Sequence, residues 1–250
     1  MLATAKVLVE GYYFRGDDAK EHASATISLV RDNGTIMVVD PGTLKDPKVL
    51  IDALAKEKLT VDDVNIVGIT HSHVDHYKNV GMFPKAKLLD CFGVWSQDAI
   101  EIWDESFTPH IQILKTPGHD DTSITLFVKT KEGVVAICGD VFWKKNYPEL
   151  DVYASDLKKL QNSRRLVLEM AHWIIPGHAG MYEVKNVLQF EGIKNGKKGV
   201  SKTAESCKKC HRLFMKKGDK CSCRDWLCYR CCECASDCLK CNCGEKKYLK

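Results

Sequence analysis

No apolar run in the chain approaches the roughly 20 residues that a helix needs to cross a bilayer, so no segment is expected to span a membrane. The opening of an exported protein is missing too. Met1 to Glu10 contains only the short apolar run Val7-Leu8-Val9 with a charge on either side, which reads as a first strand rather than a signal peptide. The expected location is therefore cytoplasmic. Cysteine is almost absent from the first 206 residues, where only Cys91 and Cys138 occur; the remaining eleven of the thirteen lie between Cys207 and Cys243. An apolar share of 44% and a charged share of 28% exclude a disordered chain and suit a globular one. At 250 residues there is enough chain for one domain with a full core and a small appendage.

Charge changes sign where the cysteines begin. From Lys194 onward 16 basic residues face 6 acidic ones, a net of +10. The first 193 residues hold 21 basic and 27 acidic residues, a net of −6. The overall +4 therefore conceals two modules of opposite sign. The expected organisation is a catalytic domain over 1–193, a Gly/Lys linker over 194–206 and a cysteine-rich module over 207–250.

Strand patterns dominate the first part. Val7–Val9, Ala25–Val30 and Ile36–Val39 are strand-like, with Asn33-Gly34 marking a tight hairpin between the last two. Asp46 to Lys58 places Val49, Leu50, Ala53 and Leu54 on one face of a helix. A β-branched run, Val64 to Thr70, reads as a buried strand, and Lys78 to Phe83 as a short helix closed by Pro84. Further strands are expected at 87–90, 100–103, 111–114, 123–128, 133–138 and 173–175, with a long helix from Ala154 to His172.

The run His71-Ser72-His73-Val74-Asp75-His76 follows the buried strand. Alternate residues of an extended segment point the same way, so His71 and His73 can meet at one point, while Asp75 and His76 can swing toward a second. Imidazole and carboxylate are ligands for zinc, iron or manganese. Three more metal-type residues follow strand ends: Gly118-His119, Gly139-Asp140 and Gly177-His178. A glycine before each lets the backbone turn and approach closely, which suits a site along one edge of a sheet. Asp40, at another strand end, reads either as a support for such a site or as a turn residue. His22, His110 and His172 lack partners at ligand spacing and read as packed or surface residues. Lys144, Lys145 and Tyr147 follow Asp140 and read as a solvated loop or as contacts for an anionic substrate.

These motifs resemble the metallo-β-lactamase superfamily over about residues 5–185. The resemblance implies an α/β fold, a four-layer αβ/βα sandwich with two metals at one edge of its sheets. Carried over, His71, His73 and His119 would hold one metal, Asp75, His76 and His178 the other, and Asp140 would bridge them. Aspartate rather than cysteine at position 140 points away from antibiotic hydrolysis. The segments Asn79 to Leu89, Thr116 to His119, Gly139 to Phe142 and Ile175 to His178 are similar to the metallo-β-lactamase domain-containing protein 1 subfamily, whose animal member is an RNA endonuclease. The expected activity is thus hydrolysis by a hydroxide bridging two divalent ions, zinc first and iron or manganese next, with Asp75 managing its proton. The substrate expected first is a phosphodiester, RNA in particular; the alternative is a small thioester or lactone. A β-lactamase or a mononuclear iron oxygenase stands behind both.

In the tail, Cys207, Cys210, His211, Cys221, Cys223, Cys228, Cys231, Cys232, Cys234, Cys238, Cys241 and Cys243 provide eleven thiols and one imidazole. Repeated Cys-x2-Cys pairs without an export signal argue for metal rather than disulfides. Twelve ligands fill three tetrahedral zinc sites, or two with thiols to spare, and metal would drive the folding of so short a segment. Eleven thiolates with three zinc ions lower the module's charge from +10 to about +5. Lys216, Lys217, Trp226 and Tyr229 suit nucleic-acid capture, and a protein partner is the alternative.

Overall fold

The computed structural model describes residues 1–145 and 148–184, together with the backbone of three short strands further on. The chain divides into two compact units, Met1–Val187 and Leu188–Lys250. The first begins with β1 (Thr4–Val9), β2 (Tyr12–Arg15), β3 (Glu21–Ser24), β4 (Ile27–Asp32), β5 (Thr35–Val39), α1 (Lys48–Lys56) and β6 (Ile66–Gly68). Then come α2 (Val74–Tyr77), β7 (Lys87–Leu89), β8 (Val94–Ser96), β9 (Ala99–Glu101) and β10 (Ser106–Thr108). It continues through β11 (Ile111–Lys115), β12 (Ile124–Thr130), β13 (Gly133–Ile137), α3 (Leu157–Met170), β14 (Trp173–Ile175) and β15 (Tyr182–Glu183). Described residues of the second unit form β16 (Glu205–Ser206), β17 (Leu213–Lys216) and β18 (Trp226–Cys228), an antiparallel ribbon. The tail ligands Cys207, Cys210, His211, Cys221, Cys223, Cys231, Cys232, Cys234, Cys238, Cys241 and Cys243 lie outside the described residues, as do Lys217, Tyr229, Tyr147 and the linker up to residue 204. Cys228, Lys216 and Trp226 are described in their backbone alone.

Two mixed sheets face each other in the first unit, ordered β1-β4-β5-β6-β7-β8-β9 and β10-β11-β12-β13-β14-β15. Alternation along the strands sorts side chains into layers. Val30, Met37, Val39 and Leu89 of the first sheet meet Ile113, Leu126, Val128 and Ile137 of the second in a buried central core. Leu29, Val38 and Val67 point the other way, onto Leu50 and Leu54 of α1. Phe127, Ala136 and Ile174 are paired across neighbouring strands on the outer face of the second sheet, where α3 packs against β13. Helix, sheet, sheet, helix is the αβ/βα sandwich of the metallo-β-lactamase fold.

The departures from the sequence reading have local causes. The β2–β3 hairpin was not signalled, because Tyr12 and Phe14 are exposed and Tyr13 between them is only half-buried, too short a pattern to read. Val49 is on the exposed side of α1, leaving Leu50 and Leu54 as its buried stripe. In place of a helix over 78–83, α2 starts earlier, after an extended His73, and only a single 3-10 turn spans Val80–Met82. Asp75 and His76 therefore lie on a helix rather than in a turn. α3 starts at Leu157 because the Asp156 side chain caps it, accepting from Lys159 N at 2.9 Å. The short strands β8, β10 and β15 were not signalled; each is two or three residues long, below the length at which a period can be read.

Candidate metal centre

Strand direction places the site. β5 and β6 are parallel, so Asp40 and His71 emerge at the same edge of the first sheet. β11 is antiparallel to β12, which is antiparallel to β13, which is parallel to β14; the carboxyl ends of β11, β13 and β14 therefore share one edge of the second sheet. His119, Asp140 and His178 follow those ends, so residues more than 100 positions apart meet in space. Two of the preceding glycines are required where they stand. Gly118 has φ +136°, and a Cβ there would strike the backbone of Leu160 on α3. A Cβ on Gly177 would strike Asp140 Oδ1.

The seven residues form two groups. Candidate ligand atoms of His71, His73, His119 and Asp140 lie within 4.8 Å of one another, and those of Asp75, His76 and His178 do likewise. Asp140 reaches both groups: its Oδ2 is 3.4 Å from His119 Nε2 and 3.2 Å from His178 Nε2, and its Oδ1 is 3.3 Å from His76 Nε2. Asp75 Oδ2 is 3.5 Å from His178 Nε2. His73, with a side chain 40% exposed, is the group's most open imidazole; His76 is fully buried.

Outer partners assign the tautomers. His119 Nδ1 is 2.7 Å from the buried Asp151 carboxylate, and His76 Nδ1 is 2.8 Å from Asp40. His178 Nδ1 donates to the Ser24 carbonyl at 3.0 Å. Thr70 gives its hydroxyl proton to Asp40 at 2.7 Å, so its oxygen accepts from His71 Nδ1 at 3.1 Å. The Nδ1 atoms of these four thus face outward and their Nε2 atoms converge around the Asp140 carboxylate, while His73 turns its Nδ1 inward, 3.0 Å from His119 Nε2. His71 Nε2, His76 Nε2 and Asp140 Oδ1 are buried without a hydrogen-bond partner. Acceptors gathered in this way repel one another unless a cation lies between them, so the donor set fits divalent metal. The charges agree. Burial drives His71 well below its usual value, which keeps it neutral. Burial also opposes charge on Asp140, but His178 and His76 outweigh it and hold the carboxyl well below its usual value.

Asp40 proves to be a support: a non-glycine residue at φ +52°, it holds both Thr70 (N to Oδ1, 2.8 Å) and His76. Asp151 was missed, since it lies in an irregular segment with no pattern around it. A strap at 24–26 ties the two halves of the site: Ala25 N donates to Asp75 O (3.2 Å), Thr26 N to Gly177 O (2.6 Å) and Thr26 Oγ1 to Ala179 O (2.8 Å). Histidines outside the cluster are packed or at the surface: His110 on Asp32, His22 stacked on Phe14, and the exposed His172 accepting from Val134 N.

Fold and site have the form of a metal-dependent hydrolase, and the family model of the metallo-β-lactamase superfamily matches residues 23–88, the stretch that carries Asp40 and the His71–His76 run. A Xenopus laevis protein named metallo-β-lactamase domain-containing protein 1 is 27% identical over 188 residues, covering 71% of this chain and 80% of its own length. The human protein of that name is 31% identical over 159 residues, and the match covers 59% of each chain. Among solved structures, the dizinc quorum-quenching lactonase AidC superposes with a TM-score of 0.54 at 15% identity, covering 73% of this chain and 94% of that one.

Proposed function

We propose that this chain is a binuclear hydrolase of small carboxylic esters, thioesters or lactones. The observation that carries the binuclear reading is the convergence of the Nε2 atoms of His71, His76, His119 and His178 around one buried carboxylate, with the Nδ1 of these four held outward. His71, His73 and His119 would hold one divalent ion, Asp75, His76 and His178 the second, and Asp140 both; zinc suits this nitrogen-rich set, with iron or manganese next. When bound, the pair would supply Lewis acidity for the scissile carbonyl and an activated water near neutral pH. The residues do the rest. Asp151, Asp40, Thr70 and Ser24 fix the imidazole orientations before substrate arrives. Asp75 is a quarter exposed in its side chain and lies beside His178, placed to accept the attacking water's proton and deliver it to the leaving group.

The net charge of −6 on the first 193 residues supports an uncharged substrate, because an acidic surface repels a polyanion. RNA is the second reading. Its supports are the exposed Lys144 and Lys145 just after Trp143 and the +10 net charge beyond residue 193, together with the likeness to the domain-containing protein 1 subfamily. The structural zinc sites of the tail belong to that reading as a capture module. The test is a metal-loaded full chain, with two equivalents verified by elemental analysis, offered S-acyl glutathione, lactones, nitrophenyl esters, nitrocefin and RNA. Turnover of an ester or lactone with intact RNA is the expected result; RNA cleavage with every ester intact overturns it in favour of the second reading.

A further inference from the structure

A cavity of about 170 Å³ lies against the His71–Ser72 corner, and His71 is the one residue of the seven-residue cluster that lines it. Its walls are Ile69, Tyr77, Val80, Leu88, Cys91 and Phe92. Four polar residues also border it, and the polar groups of three of them are engaged elsewhere. The Asp90 carboxylate accepts from Phe92 N (2.8 Å) and Gly93 N (3.1 Å) on Oδ1 and from Trp95 Nε1 (3.0 Å) on Oδ2. The Thr122 hydroxyl is bound by Asp120 and accepts from Ser72 N at 3.1 Å; Ser72 Oγ lies against the same hydroxyl. His71 is the fourth, its Nδ1 engaged by Thr70. No lysine or arginine lines the space. Burial pushes the Cys91 thiol up to about 11, so that wall is uncharged at neutral pH as well.

A dry space of this kind recognises shape and apolar surface, not charge. Phe92 is 63% exposed although it is large and apolar, and it sits at the rim rather than in the core. An exposed aromatic beside an apolar hollow, whose lining residue Ser72 adjoins the open imidazole His73 in the chain, is an entrance to which a substrate chain can hold on its way to the site. An apolar cavity of about 150 Å³ takes a benzene-sized molecule.

We propose that this cavity is a subsite for an uncharged apolar group of about five or six carbons, the acyl chain of the substrate. The assignment rests on the ester reading above, and it separates from it experimentally. On the metal-loaded full chain, kcat/KM for a nitrophenyl ester series should rise about fourfold per methylene from acetyl to hexanoyl, then level off or fall. Val80→Phe, at a half-buried position on a short turn, fills the space and should move the optimum to butyryl or shorter while leaving acetyl turnover within about twofold. Cys91→Phe does the same from the opposite wall and guards against one variant failing to fold, which circular dichroism reads. A rate independent of chain length, or an optimum unmoved in folded Val80→Phe and Cys91→Phe, overturns the subsite and leaves the ester hydrolase standing. If no ester is turned over, the ester reading falls and a second arm decides the subsite. In that arm saturation-transfer NMR is recorded for 1-hexanol on the metal-free full chain. Transfer to its methyl group that is lost in Val80→Phe supports the cavity as an apolar site; transfer absent from the unsubstituted chain, or equal in the variant, overturns it.

Discussion

At the scale of single residues, the site is defined less by its histidines than by what each Nδ1 touches. Asp151 orients His119 and Asp40 orients His76, and the two imidazoles belong to different groups. Asp151→Asn should therefore weaken the position formed by His71, His73 and His119, and Asp40→Asn the other, each by about 10- to 100-fold in metal affinity. Competition titrations against a chelator should show one tight and one loosened step in each variant. Equal loosening of both steps in both variants would mean that the two groups do not act as separate positions. Asp140→Ala removes the carboxylate that reaches both groups, so both ions should be lost and turnover of every substrate should fall together. Elemental analysis beside an activity panel checks this.

At the scale of elements, loops are held by contacts between distant strands. Gly177 is packed against Asp140 so closely that Gly177→Ala must displace one of them, at a cost of about 1–3 kcal/mol in stability. The expected result is a lower melting temperature together with weaker metal retention in the same variant. A second tie joins the two sheets at their far end. Asp32, ending β4, accepts from the Thr108 hydroxyl, from His110 N (3.1 Å) and from His110 Nδ1 (2.8 Å). Burial opposes its charge, but Thr108 and His110 outweigh it and hold its pKa below the usual 3.8. The unfolded chain therefore takes up this proton first as pH falls. Asp32 thus contributes stability in full above about pH 4, and the contribution is lost as pH falls through the depressed native value. Asp32→Ala should cost about 1–3 kcal/mol at pH 7, since it leaves Thr108 and His110 unpaired, and much less near pH 2. Chemical denaturation at both pH values measures the difference.

At the scale of the whole molecule, the chain joins an acidic catalytic unit to a basic, cysteine-rich one. Removing residues 194–250 should leave ester turnover and two metal equivalents in place. If the tail captures nucleic acid, the same deletion should weaken RNA binding and flatten its dependence on salt. A filter-binding titration at two salt concentrations reads this; an unchanged slope would assign the tail to another partner.

The sequence alone determined the strands and helices and the metal-type residues at strand ends, because both are written locally; the layered sandwich came from the family resemblance. Strand periods of two reveal the sheets, and histidine, aspartate and glycine at strand ends mark an edge. The limits of that reading are also physical. β2 and β3 carry no buried stripe, and Asp151 sits in an irregular segment, so nothing local marks either. Only the tertiary structure decided that Asp40 is a support and not a turn residue, since its partners Thr70 and His76 lie 30 and 36 positions away. It also decided which nitrogen of each histidine faces inward, because a tautomer is fixed by partners from other strands. The cavity beside His71 is of the same kind: its lining joins residues from 69 to 92 with Thr122 of a distant segment, and no single stretch of sequence contains it.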